Sequence, residues 1–163
     1  MLRPRWDDYF LGFAYLASTR SHDSQTKVGC VLVSDKKIIS VGYNGFCSGV
    51  EDKSLPNKRP YKYPYMVHAE ENAISNMLIR PSSAVAYITH IPCCGCAKLL
   101  WQNNVRKWCV PEGSVVKGHS VEDRIVYNHL VDNGLEIEKL IPDLSYLSDV
   151  LKNKNKNEQR MLF

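Results

Sequence analysis

Several features that would place this chain outside the soluble globular class are missing from its sequence. No apolar run among its 163 residues is long enough to cross a bilayer, which excludes a membrane-spanning helix. The opening stretch, MLRPRWDDYF, sets arginines beside aspartates, so we do not expect a secretory signal peptide. No internal repeat or linker is visible, and a formal charge of +4 is too small to indicate nucleic-acid binding by itself. These absences predict one cytoplasmic domain over residues 1–153 and a polar tail over 154–163, with neither membrane nor nucleic acid as partner.

The sequence also lacks the wide spread of cysteines that is typical of a disulfide framework. Three of its six cysteines fall within four consecutive residues, 93–96. Disulfide frameworks of small secreted domains usually distribute their cysteines along the chain. The clustering therefore favours reduced thiols that take part in metal or redox chemistry.

Hydrophobic periodicity predicts helices that alternate with short strands rich in β-branched residues. The predicted helices cover 6–19, 68–79, 93–104, 121–133 and 143–153. The predicted strands cover 27–34, 37–43, 84–91, 106–111 and 135–140, and the first two form a hairpin around residues 34–36. This order favours an α/β layered fold with parallel strand pairs and one antiparallel hairpin. The long loop at 45–67 is expected to be functional, because structureless loops of that length are uncommon in compact domains.

Two predicted helix starts carry residues that bind zinc. Cys93 and Cys96 have C-x-x-C spacing at the start of a helix, where free N–H groups and the helix dipole favour thiolates. His68 also opens a helix after a loop. If both helix starts lie on one side of the sheet, the three side chains can converge on a single ion. Three protein ligands and one open position are the catalytic form of a zinc site.

Glu70 follows His68 at a spacing that an ordinary helical pair would not use. Two residues apart on a helix lie about 200° around its axis, so they do not share a face. As a carboxylate that is not a ligand, Glu70 is suited to take a proton from a metal-activated water. The pattern His68-x-Glu70 followed by Pro92-Cys93-x-x-Cys96 is the signature of zinc deaminases.

Four longer stretches carry a resemblance to a known family. They are TKVGCVLV (26–33), IISVGYNGF (38–46), YPYMVHAEENAI (63–74) and ITHIPCCGCAKLL (88–100). Through them, over about residues 6–140, the sequence resembles deoxycytidylate (dCMP) deaminases of the cytidine deaminase superfamily, including bacterial and bacteriophage members. The resemblance implies a three-layer α/β/α fold with a mixed five-stranded sheet and helices on both faces. It also implies zinc-dependent hydrolysis of dCMP to dUMP and ammonia, which supplies dUMP for dTTP synthesis.

The resemblance further implies a homohexamer that is activated by dCTP with Mg²⁺ and inhibited by dTTP. It assigns Asn44 to the deoxyribose and the peptide around Ala69 to the edge of the base. Lys27 and Ser21 are the candidates for the 5′-phosphate, although Lys27 can equally be a solvated strand end. The basic, tyrosine-rich loop at 53–65 can close over the phosphate, help to bind an effector, stack a single-stranded base or remain solvated. The effector site itself is not assigned.

Two alternatives stay open at the level of sequence. The first is another deaminase of the same superfamily, acting on a tRNA adenosine, a nucleoside or a free base, because the zinc signature alone does not select the substrate. The second is a non-catalytic zinc module, which would need a fourth protein ligand such as Cys94 or Cys109. In that case Glu70 would have no role.

Overall fold

A computed structural model describes residues 3–114 and 120–149. Its four complete α-helices are α1 (Trp6–Ser18), α2 (Ala69–Ser75), α3 (Cys94–Gln102) and α4 (Val121–Asp132), and a 3₁₀ turn covers Tyr63–Tyr65. Its strands are β1 (Gly29–Ser34), β2 (Lys37–Tyr43), β3 (Gly45–Phe46), β4 (Met66–Val67), β5 (Ala84–Ile88), β6 (Val105–Pro111) and β7 (Glu136–Leu140). Residues 145–149 are also helical, and the rest of the helix predicted at 143–153 lies outside the described residues, as does the tail at 154–163.

Five strands form one mixed sheet in the order β2-β1-β5-β6-β7. Strand β1 is antiparallel to both β2 and β5, whereas β5, β6 and β7 are parallel. Asp35 and Lys36 make the turn between β1 and β2 with positive φ angles of 48° and 59°, as tight hairpins require. The mixed five-stranded sheet and the first hairpin are thus confirmed.

The two faces of the sheet carry separate hydrophobic cores. Successive residues of β1 point to opposite faces, so Leu32 joins one core and Val31 the other. Helix α1 covers one face, where its Phe10 and Leu11 pack in the same core as Val31 of β1. Helices α2, α3 and α4 cover the opposite face, whose largest fully buried side chain is Trp108. This arrangement confirms the three-layer fold.

Helix α2 lies close against the edge strand β2. Its Asn72 and Asn76 side chains donate hydrogen bonds to the carbonyls of Tyr43 and Val41, at 2.9 and 3.0 Å. These carbonyls lie on the outer strand, and the two amides satisfy them without a sixth strand. The start of α2 is thereby fixed relative to the sheet.

Two details differ from the prediction. Helix α2 ends at Ser75 instead of residue 79, because Leu78 and Ile79 are exposed and do not extend its apolar face. The loop at 45–67 contains the antiparallel pair β3–β4, whose two-residue strands are too short to give a periodic signal. Within the described residues, no helix has both the length and the apolar character that crossing a membrane would need.

Candidate active site

The start of helix α2 places His68 and Glu70. His68 is the N-cap and has extended backbone angles, φ −76° and ψ 158°, while Ala69 is the first helical residue. The backbone N–H of His68 donates to Glu71 Oε2 at 2.7 Å, half of a capping box that fixes the entry of the chain into the helix. The preceding β3–β4 pair holds the chain on the other side of His68. The backbone is therefore held on both sides of His68, which limits the positions that its imidazole can take.

The start of helix α3 brings two thiols to the same point. Cys93 is the N-cap of α3 and Cys96 lies in its first turn. His68 Nδ1 lies 3.5 Å from Cys93 Sγ and 3.4 Å from Cys96 Sγ. The three donor atoms all lie within 4.8 Å of one another. The structure therefore brings the predicted ligands His68, Cys93 and Cys96 together.

A buried carboxylate from α4 holds the segment between the two thiols. Asp123 Oδ1 accepts the backbone N–H of Cys94 at 2.6 Å, and its Oδ2 accepts the backbone N–H of Ser120 at 3.0 Å. Asp123 thus links the first turn of α3 to the N-terminus of α4.

The three donor groups share protons through hydrogen bonds, so the pKa of each depends on the other two. Hydrogen bonds from the Cys96 thiol and from His68 lower the pKa of Cys93 to about 4. The hydrogen bond to Cys93, followed by burial, raises the pKa of Cys96 instead. The Cys93 thiolate raises the pKa of His68 to about 9. One imidazole nitrogen and two sulfurs form a donor set that fits Zn²⁺.

Glu70 lies beside this donor set without belonging to it. Among the described residues, the cluster of possible ligands holds His68, Cys93 and Cys96 but not Glu70. The Glu70 residue is only 4% exposed, and burial raises the pKa of its carboxyl to about 7. A carboxyl of this kind can exchange a proton near neutral pH.

Glu70 lines a cavity of about 490 Å³, a volume typical of a small-molecule site. Four stretches of the chain line it: parts of 23–28, Asn44, parts of 59–70 and parts of 90–93. The predicted residues Asn44 and Ala69 are among the lining residues, together with His68, Glu70 and Cys93. One cavity is thus lined both by residues of the donor set and by residues that the resemblance assigns to nucleotide binding.

The Asn44 amide is held by hydrogen bonds to the chain before β1. Its Oδ1 accepts the N–H of Val28 at 2.7 Å, and its Nδ2 donates to Thr26 O at 2.9 Å and more weakly to Asp23 Oδ2 at 3.4 Å. Both amide hydrogens are therefore used, and one lone pair of Oδ1 stays available for a donor in the cavity.

The two phosphate candidates from the sequence do not line the cavity. Ser21 is buried, and its hydroxyl accepts the backbone N–H of Asp23 at 3.2 Å. Lys27 is exposed at the start of the segment that leads into β1. The cations that do line the cavity are Arg59 and Lys62.

Sequence reasoning singled out the basic loop at 53–65 but did not select these two residues within it. Their partners are distant in the sequence: Lys62 pairs with Asp23, and Arg59 bonds to Thr26. The composition of the loop was the available signal, and it does not distinguish Arg59 and Lys62 from Lys53 and Lys58.

The structure disfavours a fourth protein ligand from the cysteines that the sequence offered. Cys109 belongs to the core on the α1 face, where its Sγ lies 4.0 Å from Glu138 Oε2, whereas α3 covers the other face. Cys94 lies between the two ligands in sequence but is not part of the cluster found in the described residues.

Comparison with known families decides the classification. Residues 4–112 match the family described as the cytidine and deoxycytidylate deaminase zinc-binding region. The chain belongs to this family. The match spans α1 to β6, and the matched region contains His68, Glu70, Cys93 and Cys96.

Other members of the deaminase family are similar over most of the chain. Deoxycytidylate deaminase of Pongo abelii is 35% identical over 149 residues, which are 86% of this chain and 82% of the relative. Deoxycytidylate deaminase of Mycobacterium phage D29 is 34% identical over 131 residues, covering 70% of this chain and all of the relative. The crystal structure of dCMP deaminase from cyanophage S-TIM5 in complex with dCMP and dUMP has a TM-score of 0.70 and 25% identity. It covers 86% of this chain and all of the cyanophage chain.

Proposed function

We propose that this deaminase hydrolyses dCMP to dUMP and ammonia with a catalytic zinc ion. The observation that carries the proposal is the buried Glu70 carboxyl, which lines a cavity of about 490 Å³ beside the donor cluster of His68, Cys93 and Cys96. The deoxycytidylate deaminases of Pongo abelii and phage D29 support dCMP as substrate, and so does the cyanophage enzyme, whose crystals contain dCMP and dUMP.

His68, Cys93 and Cys96 would hold the metal. A zinc ion in this donor set supplies Lewis-acid activation of the attacking water. The chain supplies the orientation of the ligands: the capping box fixes His68, and Asp123 fixes the backbone between the two thiols. Partners of this kind keep ligands in the geometry that binding requires.

Glu70 is the proton carrier of the proposed reaction. It takes one proton from the water that attacks C4 and gives it to N3 of the pyrimidine. It then takes the remaining proton of the new hydroxyl and gives it to the amine as the C4–N bond breaks, so that ammonia leaves and a C4 carbonyl remains. Burial beside the reacting atoms suits this role, because bulk water does not compete for the proton.

Asn44 and Ala69 orient the rest of the nucleotide. The free lone pair on Asn44 Oδ1 accepts the 3′-hydroxyl of the deoxyribose, since both amide hydrogens are bonded to Thr26 and Asp23. The backbone at Ala69, between the ligand and the proton carrier, meets the edge of the base.

The wider roles that the resemblance implies belong to the same proposal. They are supply of dUMP for dTTP synthesis in the cytoplasm, a homohexamer, activation by dCTP with Mg²⁺, and inhibition by dTTP. A dCMP titration with and without each effector tests the regulation. A sigmoidal curve that dCTP makes hyperbolic would reveal a second nucleotide site in an oligomer.

Ammonia release from a panel of substrates tests the reaction itself. The zinc-loaded protein is offered dCMP, deoxycytidine, cytosine and an adenosine-containing tRNA. We expect dCMP to give the highest kcat/KM. A preference for the tRNA or for cytosine would contradict the proposal, and release from none of the four would favour a non-catalytic zinc module.

A further inference from the structure

One of the two acidic groups that line the cavity is neutralised inside it. Lys62 Nζ lies 2.6 and 2.5 Å from the two carboxylate oxygens of Asp23, and both side chains are 3% exposed. Asp23 also accepts the backbone N–H groups of Gln25 and Thr26, at 2.8 and 3.0 Å. Its carboxylate is therefore fully engaged and adds no net negative charge to this part of the wall. The other acid, Glu70, lies beside the zinc donors.

Arg59 also lines the cavity, and unlike Lys62 it has no acidic partner among the described residues. Its Nη2 donates to the hydroxyl of Thr26 at 2.8 Å, which is a neutral partner. None of the ion pairs between described residues involves Arg59. A guanidinium has five N–H donors, so four remain for a ligand in the cavity.

The loop that carries Arg59 is tied to the segment 22–26 at three successive points. Asn57 Nδ2 donates to His22 O at 2.9 Å, the backbone N–H of Arg59 donates to Gln25 Oε1 at 3.0 Å, and Lys62 pairs with Asp23. These bonds place Arg59 before any ligand arrives. Binding through a group held in this way costs less conformational entropy than binding through a free side chain.

From these contacts we propose that Arg59 binds the 5′-phosphate and selects a nucleotide over the corresponding nucleoside. This inference rests on the proposed function for the identity of the base. The planar fork of N–H donors matches two phosphate oxygens, and the hydrogen bond to the hydroxyl of Thr26 restrains the guanidinium. Lys27 and Lys58 are exposed and do not line the cavity, so the phosphate is read by Arg59 and not by the general positive charge of this region.

The test compares Arg59→Gln with Lys58→Gln, which removes a neighbouring positive charge outside the cavity. We expect Arg59→Gln to lower kcat/KM for dCMP by about 10- to 100-fold, mainly through KM, as loss of a charged hydrogen bond predicts. Lys58→Gln should stay within about twofold of the wild type, since exposed charges contribute little. Arg59→Lys should fall between them because a lysine offers a point charge without the fork. An Arg59→Gln enzyme with unchanged kinetics, or equal losses in both glutamine variants, would overturn the inference.

Calorimetric titration of the zinc-loaded proteins with dUMP and with deoxyuridine separates this inference from the proposed reaction. Arg59→Gln should weaken dUMP binding but leave deoxyuridine binding unchanged, and Lys58→Gln should weaken neither. If the wild type releases no ammonia from dCMP, the proposed function fails, yet the dUMP titration still reports on Arg59. If dCMP is deaminated and dUMP binds Arg59→Gln as tightly as the wild type, the role of Arg59 is wrong. Zinc content and circular dichroism establish that each variant is folded.

Discussion

At the scale of single residues, the spacing of His68 and Glu70 is explained by a helix boundary. Two helical residues at this spacing would lie about 200° apart. His68, however, precedes the helix and has an extended backbone, whereas Glu70 is the second residue of the helix. The bend at the boundary lets both side chains line one cavity. The helical wheel therefore does not apply to a pair that spans the N-cap.

Replacing Glu70 by Gln should abolish most activity but keep the fold and the metal. Glutamine fits the same space but cannot carry the proton, so kcat should fall by about 100- to 10,000-fold. Glu71→Gln in the same turn is the control, because glutamine can still accept the N–H of His68. Zinc content, melting temperature and ammonia release are measured on all three proteins. Near-normal turnover by Glu70→Gln would contradict its assignment.

Cys94 and Cys96 should differ in their contribution to zinc binding. Cys96→Ala removes a proposed ligand and should lower zinc from about one ion per chain to almost none. Cys94→Ala is the matched control and should keep the metal, since Cys94 is not part of the donor cluster. Metal analysis after dialysis distinguishes them. Loss of zinc from Cys94→Ala would support the fourth-ligand alternative.

At the scale of elements, the close approach of α2 to β2 depends on Gly42. A Cβ at this position would overlap backbone atoms of Ala69 and Ala73. Because backbone on both sides forms the contact, the overlap can be relieved only by moving the helix. Ala69 lies between His68 and Glu70, so this displacement would also disturb the site.

Gly42→Ala should therefore lower both stability and zinc content. We expect a loss of about 1–3 kcal/mol in the free energy of unfolding, as overpacking in a core usually gives. Gly95→Ala in helix α3 is the control: the nearest atom to its Cβ is Cys93 Sγ at 3.9 Å, an ordinary contact. It should change stability by less than about 1 kcal/mol. Urea unfolding and metal analysis are the measurements, and equal behaviour of the two variants would refute the packing argument.

Periodicity and spacing predict the elements well where the signal is local. The order of helices and strands, the mixed sheet and the convergence of His68 with the two cysteines follow from such signals. The roles of Arg59 and Lys62 do not, because their partners Thr26 and Asp23 lie 33 and 39 residues away. An irregular loop has no repeating pattern that would report contacts over such distances.

At the scale of the whole molecule, Asp8 connects the first helix to the segment after the last strand. Its carboxylate accepts hydrogen bonds from Arg5 and from the backbone N–H of Asp143, at 2.8 and 3.1 Å. Tyr146 donates to the carbonyl of Asp8 at 3.2 Å. The side chain and the backbone of Asp8 thus hold residues 143–146 against α1.

The pH dependence of stability should reflect this contact. The hydrogen bond from Arg5 lowers the pKa of Asp8 in the folded state. A carboxyl with a lowered folded pKa stabilises the fold above its unfolded pKa of about 4, and this contribution is lost as the pH falls through the folded value. Asp8→Asn should therefore melt at a lower temperature near neutral pH and lose less stability than the wild type on acidification.

Thermal melts between neutral pH and about pH 2 measure this difference. Asp132→Asn, which removes an exposed carboxylate at the end of α4, is the control. Parallel melting profiles for wild type and Asp8→Asn would show that the contact does not contribute to acid sensitivity.

The separation of the donors along the chain has a consequence for the order of folding. His68 lies 25 residues before Cys93 and 28 before Cys96, and helix α2, strand β5 and the start of α3 come between them. No short stretch of unfolded chain can present all three donors, so a zinc ion would meet its complete site only after both helices have docked on β5 and its neighbours. Once bound, the ion would close a loop of the chain and remove the entropy that local opening of α2 from α3 would otherwise gain. Zinc would thus bind in the last step of folding, and it would then oppose local opening of the site.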